Sequence, residues 1–160
     1  MVLIIIWMLV IFIFSSMPGE ESNNKSMGTI NNAIEKTIEV TNHSGITNKH
    51  PSEDKKEKII ELLNKPLRKC MHSSVYFVLS ILIGYEMYLF KFSIKKLALI
   101  SIICCFIYAC TDELHQLFVQ GRSGQFSDVL IDTFGAIIGC ICIYCFICLR
   151  SKIKFGKFEK

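Results

Sequence analysis

Four long apolar runs leave this chain few ways to fold. They lie at about residues 1–17, 71–90, 97–116 and 128–149, and each approaches the roughly 20 residues that a helix needs to cross a bilayer. With 51% hydrophobic residues in a length of 160, the sequence has too little polar material for several soluble domains. It predicts an all-α polytopic membrane protein with four transmembrane helices, formed by one membrane domain over 1–149 and a basic tail over 150–160.

The first apolar run has an alternative interpretation as a secretory signal peptide. No Lys or Arg precedes it, and the SSMPGE that follows lacks the small-x-small pattern of a cleavage site. We therefore interpret this run as the first span.

Basic residues in the short loops predict the orientation, because such loops stay on the cytoplasmic side. They cluster between the second and third runs and after the fourth. These residues are Lys91, Lys95 and Lys96, then Arg150, Lys152, Lys154, Lys157 and Lys160. We expect both termini in the cytoplasm of a bacterial cell and the loop over 18–70 outside. The net charge of +4 reflects this sidedness and does not indicate nucleic-acid binding.

The extracellular loop over 18–70 has two halves, with a hydrophilic break, NHSGITNKHPSED, between them. Apolar residues over 30–38 follow helical spacing, although the Asn and Gly content of the first half fits a partly ordered linker equally well. The second half predicts a short helix from an N-cap at Ser52 to a stop before Pro66.

The eight cysteines fit packing better than a disulfide or metal framework. All but Cys70 fall within apolar helices, where a thiol packs as a small hydrophobic group. Cys142, Cys145 and Cys148 recur every three residues, but no His or carboxylate accompanies them, so a metal ligand set is incomplete. We expect neither a metal nor a cofactor.

Charged residues between Asp112 and Gly139 are the strongest indication of a functional site. A charged side chain at the centre of a bilayer costs about 2.5–3.5 kcal/mol on insertion scales unless it faces the bundle interior or a water-filled cavity. Helical spacing places Tyr108, Asp112 and Gln116 four residues apart on one face, with Glu113 beside that face. The sequence therefore predicts that these polar groups face protein.

The last apolar run continues this pattern. Asp128 and Asp132 precede Gly135 and Gly139 on one helical stripe, and small residues let helices pack closely. The aspartates should then point inward, toward Arg122 in the glycine-containing turn, His72 and the end of the third helix. We expect a polar pocket at the outer membrane face, while the alternative is a sealed ion-pair network that only ties the helices together.

Three blocks of the sequence carry a family resemblance. They are FSSMPGEESNNKS, RKCMHSSVY and YACTDELHQLFVQGRSGQFSDVLIDTFGAIIG, and the third is the most specific. They resemble the VanZ-like membrane protein family, named for a component of glycopeptide-antibiotic resistance clusters. The family pattern falls on Ser15, Ser16, Pro18, Lys69, His72, Tyr76, Asp112, Glu113, Gln116, Arg122, Asp128 and Gly135. The chain departs from it at Asp132, where the family usually has Asn.

The resemblance implies a role at the cell envelope linked to reduced sensitivity to the lipoglycopeptide teicoplanin. In one function, Arg122 and Lys69 hold an anionic membrane lipid or a lipid-linked cell-wall precursor. In the other, His72 with Asp112 or Glu113 supplies acid and base groups for hydrolysis or group transfer on a lipid-linked substrate, without a recognisable nucleophile motif. A third function, transport by a homodimer, has no internal repeat to support it.

Overall fold

The described part of the chain forms five helices. The computed structural model describes residues 1–43 and 52–156, with side chains over 1–41 and 52–150. In chain order the helices are α1 (Val2–Ser15), α2 (Gly19–His43), α3 (Glu53–Leu89), α4 (Ile94–Gln116) and α5 (Phe126–Gly156). These ranges contain no strand, and the all-α prediction is confirmed. Most of the hydrophilic break and the end of the basic tail lie outside the described residues.

Three of these helices are long and apolar enough to cross a membrane, namely α3, α4 and the part of α5 that ends at Arg150. The 14 residues of α1 rise about 21 Å, against about 30 Å of hydrocarbon. Taken together, α1 and α2 qualify as a fourth span, but the chain bends by 99° between them. The polytopic architecture is therefore confirmed, with three or four spans according to how this bent pair is counted.

Close packing between α3 and α5 depends on two glycines. A Cβ atom at Gly135 would overlap the backbone carbonyl of Ser73, and one at Gly139 would overlap the carbonyl of Phe77 and Oγ of Ser80. In lipid, helices associate through such close contacts, because burial of apolar surface gives no driving force between them. The contact turns the Asp128 and Asp132 side of α5 toward the other helices.

The prediction that a short helix stops before Pro66 is wrong, because α3 runs through this residue from Glu53 to Leu89. Proline in a helix interior removes one hydrogen bond and costs about 3 kcal/mol. Tertiary contacts on both sides offset this cost. Asn64 bonds to α2, and Lys69 forms an ion pair with Asp128 of α5.

The first half of the loop is helical, as α2, and is held against α3 by a buried amide cluster. Asn64 donates to Oδ1 of Asn23 and accepts from the hydroxyl of Ser26. Ser26 and Asn64 are buried, and Ile30 is buried one turn further along α2. The polar cluster therefore fixes the position of α2 beside the upper part of α3.

Replacing Asn64 by leucine is expected to release α2 from α3. The change leaves the side-chain oxygen of Asn23 without its donor from α3, and it leaves the Ser26 hydroxyl only its bond to the Asn23 backbone carbonyl. An unpaired polar group costs about 1–3 kcal/mol when it is buried. Hydrogen exchange of the α2 amides should accelerate, while exchange in α5 stays slow. Asn32→Leu, on an exposed position of α2, is the matched control, and equal acceleration in both variants would contradict a specific role for the amide cluster.

Candidate functional site

Polar side chains gather at the end of the bundle where α1 and α4 end and α5 begins. A cavity of about 390 Å³ opens there between α3, the end of α4, the 117–125 loop and the start of α5. Seven of the residues predicted from sequence line it. They are Lys69, His72, Glu113, Gln116, Arg122, Asp128 and Asp132.

The end of α4 supplies a buried acidic cluster. Gln116 Nε2 donates to Oδ2 of Asp112 over 3.3 Å and to Oε1 of Glu113 over 3.1 Å. The backbone N–H of Gln125 donates to Oε2 of Glu113 over 2.9 Å, which ties the loop to the helix end. Glu113 and Gln116 line the cavity, whereas Asp112 is buried behind them. The two carboxylates therefore have donors within the protein.

Arg122 joins the 117–125 loop to the end of α1. Its Nε donates to the carbonyl of Met17 over 2.9 Å, and Nη2 donates to the carbonyl of Phe14 over 3.2 Å. Both carbonyls lie at the C-terminal end of α1, where the helix has no further turn to supply N–H donors and where a cation is favoured. The guanidinium thus forms part of the cavity wall while anchoring α1.

Two glycines are in backbone contact where the turn after α1 meets the loop after α4. The N–H of Gly19 donates to the carbonyl of Gln120 over 3.0 Å, and a Cβ at Gly19 would overlap the carbonyl of Gly121. Gly121 has a φ of 72°, a conformation that other residues rarely adopt. The turn after α1 and the loop after α4 therefore touch along their backbones.

His72 lies beside Arg122 in the wall of the cavity. Its Nε2 lies 3.5 Å from Nη1 of Arg122, and no described carboxylate forms a hydrogen bond with its ring. Asp112 and Glu113, the predicted acid and base partners, bond to Gln116 instead. The enzymatic alternative stays a prediction that this geometry does not favour.

Lys69 and Asp128 form an ion pair of 2.6 Å at the rim of the cavity. Their side chains are 38% and 28% exposed, so solvent screens the pair and its effect on stability is small, about 0–1 kcal/mol. The pair joins α3 to the start of α5. It sets one edge of the opening.

Ser15 and Tyr76 lie below the cavity. Both side chains are fully buried, and neither hydroxyl has a hydrogen-bond partner among the described residues. The Ser15 hydroxyl is near the Asp112 carboxylate but outside hydrogen-bond geometry. The Tyr76 ring packs against Tyr108, with 6.1 Å between the ring centroids. The two hydroxyls are therefore buried polar groups inside the bundle that have no donor or acceptor among the described residues.

Ser16 points away from the cavity, in contrast with its sequence neighbour. Its hydroxyl lies 3.0 Å from Nε2 of His115, whose ring packs on Phe12 with centroids 4.6 Å apart. The structure therefore pairs Ser16 with His115 between α1 and α4, and does not bring it to the other predicted site residues.

Two cavity cations were not among the predicted site residues. Lys65 and Arg68 line the polar cavity beside Lys69 and His72. The four residues fall at i, i+3, i+4 and i+7 of α3, which is a single helical face. This spacing was the available signal, but it was obscured because Pro66 was expected to end the helix.

The fold and the cavity place this protein in a class. It is a polytopic α-helical membrane protein with a polar cavity at one end of the helix bundle. The VanZ/LLP1 family model matches residues 1–148, which is nearly the whole chain. The protein belongs to the VanZ/LLP1 family and is a membrane protein. No curated protein and no solved structure matches the chain.

Proposed function

We propose that this protein binds the phosphate-bearing headgroup of a membrane lipid or of a lipid-linked cell-wall precursor at the outer face of the bacterial membrane. The observation that carries the proposal is the position of Arg68, His72 and Arg122. All three line both the polar cavity and a second cavity beside it. They therefore stand where the polar and apolar parts of one ligand would meet.

Arg68 and Arg122 have no ion-pair partner among the described residues. Within the described ranges, neither guanidinium lies within 4.0 Å of a carboxylate. Burial lowers the pKa of Arg122, and repulsion from Arg68 acts in the same direction, while Asp112 and Glu113 act against both without reversing the shift. An anion between the two groups would relieve this repulsion, and guanidinium groups suit phosphate because they can donate two parallel hydrogen bonds.

The second cavity, of about 280 Å³, provides space for a lipid chain. It lies between the α1–α2 corner and α3, and its wall includes the apolar side chains of Phe14, Met17, Met71 and Val75. Pockets with apolar walls and a few placed polar groups are typical of small-ligand sites. A headgroup in the polar cavity can extend its chain into this neighbouring space.

Replacing Arg68 by glutamine is expected to weaken binding of dioctanoyl phosphatidic acid at least about tenfold, because the change removes one of two cations from the phosphate position. Arg68 makes no side-chain hydrogen bond that the structure records within the described residues, so folding should be unaffected. Native mass spectrometry of the purified protein in detergent gives the affinity. The fluorescence of the single tryptophan, Trp7, gives a second readout of binding. Its Nε1 donates to the carbonyl of Val75, and Val75 belongs to the wall of the second cavity.

The matched control is Arg150→Gln, which removes an exposed cation at the other end of α5. It should leave the affinity unchanged. Dioctanoylglycerol, which lacks the phosphate, should bind weakly to all variants. If Arg68→Gln and Arg150→Gln bind phosphatidic acid as tightly as the original protein, the phosphate is not held at this wall.

The proposed link to teicoplanin is tested in cells. Expression of the gene in a sensitive bacterial host should reduce teicoplanin sensitivity, and His72→Ala, Asp112→Asn and Arg122→Ala should restore it at matched protein levels. Unchanged resistance in all three variants would show that the cavity is not involved in resistance.

A second experiment separates binding from chemistry. The purified protein is incubated with a labelled lipid-linked wall precursor, and a new product would favour the enzymatic alternative.

A further inference from the structure

Asp132 is a buried carboxylate that the described residues leave without a hydrogen-bond donor. Its side chain is 1% exposed, and neither oxygen has a partner in the described part of the protein. The residue nevertheless lines the polar cavity. A buried polar group without a hydrogen bond costs about 1–3 kcal/mol, and a charged group costs more. A donor that enters from the cavity would remove this cost.

The charged groups that act on Asp132 are themselves acidic. They are Asp112, Glu113 and Asp128. Each of these three accepts a hydrogen bond from a described side chain, whereas Asp132 accepts none. The cavity therefore combines a carboxyl group that has no donor among the described residues with two arginines that have no ion-pair partner among them.

The carboxyl group of Asp132 lies deeper than the rim of the cavity. Asp128, which pairs with Lys69 at the rim, and Asp132 are four residues apart on α5, so Asp132 lies about 6 Å deeper along the helix axis. Both arginines and Asp132 line the same cavity, so one ligand can contact the arginines with its phosphate and Asp132 with a neighbouring group. The geometry suits a headgroup with a cation close to its phosphate.

We propose that the ligand of this cavity is zwitterionic, with a phosphate held by Arg68 and Arg122 and a protonated amine that donates to Asp132. The inference rests on the proposed function, because it names the second group of the same ligand. An aminophospholipid and a free phosphorylated amine share this chemistry. Asp132 is then the residue that selects the amine.

The test compares dioctanoyl phosphatidylethanolamine with dioctanoyl phosphatidic acid and dioctanoyl phosphatidylcholine, whose quaternary amine cannot donate a hydrogen bond. The original protein should bind the ethanolamine lipid at least about tenfold more tightly than the choline lipid, since charge-assisted hydrogen bonds are the stronger ones. Asp132→Asn should reduce this preference about tenfold and leave phosphatidic acid binding unchanged. Asp132→Glu should retain the preference. Free O-phosphoethanolamine, added as a competitor, shows whether the headgroup alone is bound.

The outcomes separate the two proposals. If no phosphate lipid binds to the original protein, the proposed function fails and the inference fails with it. If phosphatidic acid binds but the ethanolamine lipid has no advantage, or if Asp132→Asn leaves the advantage intact, the proposed function stands and the role of Asp132 is refuted. An equal loss of all three lipids in Asp132→Asn, with unchanged unfolding temperature, also refutes amine selection.

Discussion

Arg122→Lys is expected to lose at least about tenfold in phosphatidic acid affinity and about 2–3 kcal/mol in the free energy of unfolding, although the charge is kept. The guanidinium contacts Met17, Phe14 and His72 at the same time. A single ammonium group cannot reproduce these three directions, so the carbonyls at the end of α1 lose their donors. Thermal unfolding in detergent measures the stability, and native mass spectrometry measures the affinity.

Arg122→Gln provides the second arm of this experiment, because it removes the charge as well as the geometry. We expect it to bind phosphatidic acid more weakly than the lysine variant. Arg150→Lys is the control, since this residue is exposed at the opposite end of α5. Normal stability and affinity in Arg122→Lys would show that only the charge matters, and would contradict the anchoring role of the guanidinium.

Gly139→Leu is expected to prevent formation of the folded bundle. The added side chain would overlap the Phe77 carbonyl, which belongs to the α3 backbone and cannot rotate away. Gly139→Ala is the milder case, and overpacking of this kind lowers the free energy of unfolding by about 1–3 kcal/mol or more. Size-exclusion chromatography of the detergent-purified protein and its unfolding temperature are the measurements.

Gly28→Ala is the matched control for Gly139→Ala. A Cβ at Gly28 would meet no atom within 4 Å, although the residue lies inside α2. Because alanine favours helix over glycine by about 1 kcal/mol, this variant should be as stable as the original protein or slightly more stable. Equal destabilisation by both alanine variants would mean that the α3–α5 contact is looser than the structure indicates.

The fold follows from the sequence because apolar length and helical spacing are local properties. The runs at 97–116 and 128–149 lie within α4 and α5, the run at 71–90 ends one residue beyond α3, and the run at 1–17 contains α1. The bend after α1 was not predicted, because it depends on contacts with the loop near Gly121 that are distant in sequence. Pro66 was misread for the same reason, since the contacts that offset its cost come from other helices.

Some of the residues that line the cavity could be predicted from the sequence, and others could not. Spacing on α4 and α5 identified Glu113, Gln116 and Asp128, because residues on one helical face stay together in the folded protein. Ser15 and Ser16 could not be distinguished, since adjacent residues on a helix point in different directions and only the packing of α1 decides which side faces the cavity. That Asp132 has no donor within the described part of the chain depends on how several helices pack, and no local sequence pattern predicts it.

The hydrogen bond between Arg122 and Met17 has a consequence for the order of biosynthesis. Its two residues are 105 positions apart in the sequence. At typical synthesis rates of about 5–20 residues per second, Arg122 is therefore synthesised at least about five seconds after the end of α1. We expect nascent chains that end before the 117–125 loop to insert their first helices without completing the cavity, so the site matures only when the last helix has entered the membrane.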